Sequence, residues 1–326
     1  MPKIVKPEYV NIDEFVFESG EMLNDLKVEY QTIGTPKLDS NGLIENAVLY
    51  LHGSSGDYSS IKRLDTVTGS GEPLNTDEFY IISPSSLGSP GSASPSSTSL
   101  GPDFPDYTIK DMVNFHHTFL RKCFPIKHLK GVIGNSMGGF QALTWGVEFP
   151  DFMDFLIILV SSYQVKGLNY ANFYFTNSLI ERDPDYKGGN YKKNPEKCTR
   201  TISEYSYQFG VSREYYRYEM NNDEIVIAME EMGLDGTKDD ANDTVWRNKA
   251  AMNFDLEDRL LDIKASTLIV GINQDQYFPP AMDAIPMSRL IKNSELIIYD
   301  SLLGHIGTGE LDKVGGDIRE FLDGFK

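Results

Sequence analysis

The sequence predicts an α/β fold with a mostly parallel, doubly wound sheet, entered through an antiparallel hairpin and carrying a helical insertion. Three observations predict it. Short apolar runs alternate with helical patterns along most of the 326 residues. One of those runs passes into a helical pattern through a glycine-framed serine, GVIGNSMGGFQALTWG from Gly131 to Gly146. The alternation breaks only between residues 163 and 250, then resumes. Strands alternating with helices in this way build parallel sheets covered on both faces.

Each element has its own signal. FVFESGEMLNDLKVEYQTIG reads as two alternating strands about a Ser-Gly turn. Buried strands are expected at AVLYLHG (Ala47–Gly53), FYIISPS (Phe79–Ser85), LKGVIGNS (Leu129–Ser136) and FLIILVSS (Phe155–Ser162), with TLIVGINQD (Thr267–Asp275) and ELIIYDS (Glu295–Ser301) following late. Helices fit TIKDMVNFHHTFLRKC from Thr108, the segment after Ser136, and a last one near Lys313–Leu322. Residues 1–162 are therefore expected to form the first part of a core, 163–250 a helical lid over one end of the sheet, and 251–326 the second part. The serine-rich stretch Ser83–Pro105 has a linker's composition but follows a strand, which leaves both a flexible linker and an ordered loop near the site open.

Composition bounds the function. At 40% hydrophobic and 12% aromatic the chain can bury a real core. Its net charge of -18 argues against nucleic acid or an anionic membrane as partner, because polyanions are repelled. Cys123 and Cys198 show no CxxC spacing and read as ordinary free thiols. MPKIVKPEYVNIDEF lacks the apolar core of a signal peptide, and FLIILV is too short to span a bilayer, so a cytoplasmic location is expected. No metal-binding, P-loop or dinucleotide motif is found, so neither a metal nor a tightly held cofactor is expected.

The chemistry-bearing residues follow a required order. Gly134-Asn135-Ser136-Met137-Gly138 fits G-x-S-x-G between a strand and a helix, where a strained turn exposes a nucleophilic serine. Such a serine needs a base, and the base needs an orienting carboxylate. Of the histidines, only His305 lies after the insertion, in a loop following ELIIYDS. Asp275 follows the preceding strand; Asp283 and Asp300 are the alternatives. Two N–H donors are then needed for the oxyanion: Met137 supplies one, and Ser54, in the early loop LHGSSGD, supplies the other.

Together these residues resemble the homoserine O-acetyltransferase family of the α/β-hydrolase fold, over nearly the whole chain. The resemblance runs through FESGEMLNDLKVEYQTIGT, LGPDFPDYTIKDMV, GNSMGGFQALTWG, ERDPDYKGGNY and VGINQDQYFPP to the late GH. It implies a Ser136–Asp275–His305 triad, an acyl-enzyme, a helical lid and a homodimer. It also implies that Arg200 and Tyr207, seven residues apart in CTRTISEYSY, bind the amino-acid acceptor. Three departures stand out. Ile306 occupies the place of the family's Asp after the catalytic His; the early loop is HGSSG rather than HALTG; and SPSSLGSPGSASPS replaces a Gly-Cys-rich stretch. The expected function is a serine acyl-transfer enzyme acting on a small-molecule ester or thioester, as an esterase or broad acyltransferase whose acceptor is water or an alcohol. The alternatives are a genuine homoserine O-acetyltransferase using acetyl-CoA as co-substrate, and a non-catalytic binding protein on the same fold.

Overall fold

The computed structural model describes residues 6–326. Residues 1–5, part of the N-terminal stretch searched above for a leader, lie outside it. The hairpin forms as β1 (Glu8–Val16) and β2 (Met22–Ile33). The buried runs become β3 (Ala47–Leu51), β4 (Tyr80–Pro84), β5 (Leu129–Asn135), β6 (Met153–Leu159), β7 (Ser266–Ile272) and β8 (Ser294–Tyr299). They join one 8-stranded sheet in the order β1-β2-β4-β3-β5-β6-β7-β8. β1 and β2 pair antiparallel, as do β2 and β4; every later pairing is parallel.

Strands β3 to β7 are buried on both faces because successive residues pack into different layers, while the edge strand β8 is only part-buried. Leu49 and Leu51 of β3 join a core containing Phe115, Phe119, Phe140 and Trp145, whereas Val48 and Tyr50 join Ile61, Leu64 and Phe321. The first layer is supplied by α1 (Ile109–Cys123) and α2 (Met137–Glu148), the second in part by α9 (Gly315–Asp323). Burying each such large apolar side chain contributes about 1.5–3 kcal/mol relative to leaving it exposed. The start of α1 is fixed by Thr108, whose hydroxyl accepts from Asp111 N–H while the Asp111 carboxylate accepts from Thr108 N–H.

Between β6 and β7 the chain forms only helices: α3 (Gly167–Arg182), α4 (Glu196–Gly210), α5 (Arg213–Tyr218), α6 (Asn222–Gly236) and α7 (Ala241–Met252). α8 (Ala284–Leu290) then links β7 to β8. No helix among the described residues is long and apolar enough to cross a membrane. Both cysteines are free.

The serine-rich stretch is an ordered loop, not a linker. The buried Glu29 carboxylate accepts from Ser85 Oγ at 2.7 Å, and Glu29 N–H donates to Ser92 Oγ at 3.0 Å. From α7, Asp243 accepts from Ser96 N–H at 2.8 Å and from Ser94 Oγ at 3.1 Å. Partners this distant in sequence leave no trace in local composition.

Candidate active site

Ser136 is the single residue between the end of β5 and the start of α2. Its backbone sits at φ 56°, ψ −120°, a left-handed conformation that costs a non-glycine residue about 1–3 kcal/mol. Three hydrogen bonds hold it there. Ser136 N–H donates to Leu159 O at 2.9 Å, and Ser136 O accepts from Gly139 N–H at 2.8 Å and from Ser161 Oγ at 2.7 Å. The flanking glycines are required by close approach: a Cβ on Gly134 would strike the Gly138 carbonyl, and one on Gly138 would strike the Leu51 carbonyl.

The other candidates arrive on the loops after β7 and β8. His305 Nε2 lies 2.9 Å from Ser136 Oγ, and His305 Nδ1 lies 2.8 Å from Asp275 Oδ2. Since a carboxylate only accepts, the proton belongs on Nδ1, which leaves Nε2 free to accept from the serine hydroxyl. The Asp275 side chain is fully buried, and its Oδ1 accepts from the N–H groups of Tyr277 and Phe278 at 2.8 and 3.1 Å. The rings of these two residues flank the imidazole, with centroids 5.0 and 5.5 Å away. The His305 loop is tied to the helical segment by Ser212, whose hydroxyl donates to Leu302 O at 2.6 Å. Asp283 and Asp300 play no part in these contacts; Asp300 is exposed and accepts from Asn273 and Gln274.

The early loop is set by His52. Its Nδ1 lies 2.7 Å from Gly53 O, while its Nε2 accepts from Ser86 N–H at 2.9 Å, which one neutral tautomer satisfies. Burial pushes the His52 pKa down to about 4, so the ring stays neutral. In a trans peptide the carbonyl and the following N–H point in opposite directions, so Ser54 N–H is turned away from the His52 ring. Among the described residues, neither Ser54 N–H nor Met137 N–H donates a hydrogen bond.

Ser136, His305, Ser54 and Met137 line one cavity of about 290 Å³, closed above by residues of α3, α4 and α7. Tyr207 lines it as well. Arg200 does not: its Nε donates to Glu204 Oε1 at 2.9 Å, a pair formed one helical turn along α4. Arg200 is thus engaged on its own helix and lies outside the lining, whereas the resemblance implies an acceptor-binding role for it. Two arginines line the cavity instead, Arg247 of α7 and the exposed Arg63, together with Asp239. None of the three carries a motif, so only tertiary placement could have found them. Ile306 occupies the wall beside His305.

A family model described as the alpha/beta hydrolase fold matches residues 46–302. The chain is an alpha/beta hydrolase. It is 50% identical over 324 residues, 99% of this chain and 100% of the relative, to a protein of Methanothermobacter thermautotrophicus named "probable acyltransferase". It is 29% identical to the homoserine O-acetyltransferase of Methanosalsum zhilinae, over 99% of this chain and 73% of that one. The fold matches that of an acetylester hydrolase from Corynebacterium glutamicum with a TM-score of 0.87 at 24% identity, covering 97% of this chain and 96% of that chain. The hydrolase is thus a divergent relative of the homoserine O-acetyltransferases and an enzyme of the acyltransferase and esterase type.

Proposed function

We propose that the protein is a cytoplasmic serine acyl-transfer enzyme that uses Ser136 as nucleophile, His305 as general base and acid, and Asp275 to orient the base. The observation carrying this reading is the continuous chain of contacts at 2.9 and 2.8 Å from Ser136 Oγ through the imidazole to a buried carboxylate. Ser136 Oγ attacks the carbonyl carbon of an ester or thioester while His305 Nε2 takes its proton. The oxyanion is met by the N–H groups of Met137 and Ser54, which are free to donate. Collapse of the intermediate passes the proton to the departing alcohol or thiol and leaves an acyl-enzyme. His305 then deprotonates the acceptor, which attacks the acyl carbon and releases Ser136. No metal or tightly held cofactor enters this sequence; a thioester such as acetyl-CoA would act as co-substrate.

Water or a small alcohol is the acceptor that this wall favours, because Ile306 stands beside the base without a charge to hold an ammonium group. The second reading, homoserine O-acetylation, is favoured by Tyr207 on the cavity wall and by the named relatives, whereas the pairing of Arg200 with Glu204 weighs against it. The free thiols suit a reducing compartment. The dimer implied by the resemblance would use the apolar side chains exposed on α3 and α6, including Leu168, Tyr174, Val226 and Ile227.

A panel of acyl esters and acetyl-CoA, with and without homoserine, tests both readings on wild type and Ser136→Ala. Ester turnover indifferent to homoserine supports the first. CoA release that depends on homoserine supports the second. Activity undiminished in Ser136→Ala contradicts both.

A further inference from the structure

Arg247 presents a guanidinium to the cavity with no carboxylate paired to it among the described residues. Its Nε is buried without a hydrogen-bond partner, and the one hydrogen bond of the group is long, from Nη2 to Thr244 Oγ1 at 3.4 Å. Arg63 lines the cavity too and has no carboxylate partner among the described residues, but it is exposed, so water solvates it. Asp239 lines the same cavity yet stays beyond pairing distance of Arg247. A guanidinium remains charged at any pH the fold survives, and withdrawing it from water unpaired is costly. That cost is met when the molecule filling the cavity supplies the anion. The planar fork of donors matches a carboxylate in particular.

We propose that Arg247 is the specificity-determining residue of this cavity and binds a carboxylate on the substrate. The proposal rests on the reading of Ser136 as the nucleophile of the same cavity. Two kinds of substrate carry the required group: an acyl chain ending in a carboxylate, and an alcohol acceptor that is itself a hydroxy acid. Asp239 shares the wall, and burial raises its carboxyl pKa although Arg247 lowers it. Its charge disfavours a second anion beside it.

The test compares kcat/KM for 4-nitrophenyl acetate and 4-nitrophenyl hemisuccinate in wild type, Arg247→Gln and Arg247→Lys. A second arm uses the acetate ester as donor and compares acyl transfer to 3-hydroxypropanoate with transfer to 1-propanol. In Arg247→Gln the ratio of charged to neutral substrate falls on the order of ten- to a hundredfold in one arm. Loss in the first arm places the carboxylate on the acyl chain, and loss in the second places it on the acceptor. Arg247→Lys, which keeps the charge but not the fork, recovers part of the ratio. Unchanged ratios in both arms overturn the proposal. If wild type turns over no ester, the nucleophile reading fails separately. The anion site is then judged by calorimetry with succinate and 3-hydroxypropanoate: binding by wild type that Arg247→Gln loses supports it, and equal binding or none overturns it.

Discussion

The imidazole Nδ1 of His52 lies 2.7 Å from the carbonyl of its own neighbour, Gly53, and that contact sets the direction of the next peptide N–H. His52 is thus a positioning residue for Ser54 and stays outside the reacting atoms. Replacing it with Phe leaves Ser86 N–H without its acceptor and frees the Gly53–Ser54 peptide to rotate. Steady-state kinetics of His52→Phe on an acetyl ester should show kcat reduced on the order of a hundredfold, as for loss of one oxyanion donor, with KM little changed. An unaltered kcat would detach His52 from the oxyanion.

Asp275 makes a different prediction. Asn at this position still accepts from Tyr277 and Phe278 N–H but no longer holds the His305 proton on Nδ1. Asp275→Asn should fold normally by thermal melting and lose on the order of ten thousandfold in kcat. Retention of more than a tenth of the activity would mean that another group orients His305.

The strain at Ser136 is measurable apart from its chemistry. Ser136→Gly and Ser136→Ala both delete the hydroxyl, but only glycine adopts φ 56° without steric cost. Differential scanning calorimetry should find Ser136→Gly more stable than Ser136→Ala by about 1 kcal/mol. Equal stabilities would show the elbow to be relaxed.

Much of this site is legible in the sequence because its constraints are local. Gly134 is dictated by backbone contact within one strand-to-helix turn, and Asp275 and His305 by the ends of two strands whose apolar runs are plain, whereas Gly138 makes room for the Leu51 carbonyl of β3. The lid is another matter. Arg200 sits at a spacing that suggests an anchor, yet its side chain is taken by Glu204 on the same helix. Arg247 and Asp239 reach the cavity only through the packing of α7 against α3, which no period of either helix encodes. The serine-rich loop likewise owes its order to Glu29 and Asp243, far away in sequence.

Asp283 connects the site to pH. Burial is the main cause that raises its carboxyl pKa to about 6, with the Asp275 charge adding to it and a hydrogen bond from Ser162 opposing. The folded state therefore favours the protonated form. Its contribution to stability is present below the ordinary carboxylate range and is lost as pH rises through about 6. Melting temperatures of wild type and Asp283→Asn should diverge in favour of the variant between pH 4 and 7 and run parallel above that, in keeping with the shifted titration. A difference that is constant with pH would show that Asp283 does not titrate in this range.

The central claim is that the acyl group passes through Ser136. Rapid acid quenching of a reaction with 4-nitrophenyl acetate, followed by intact-mass and peptide-mapping mass spectrometry, tests it directly. The predicted result is one acetyl group per chain, mapped to Ser136 and absent from Ser136→Ala. An acetyl group on any other residue, or turnover that persists in Ser136→Ala, contradicts it.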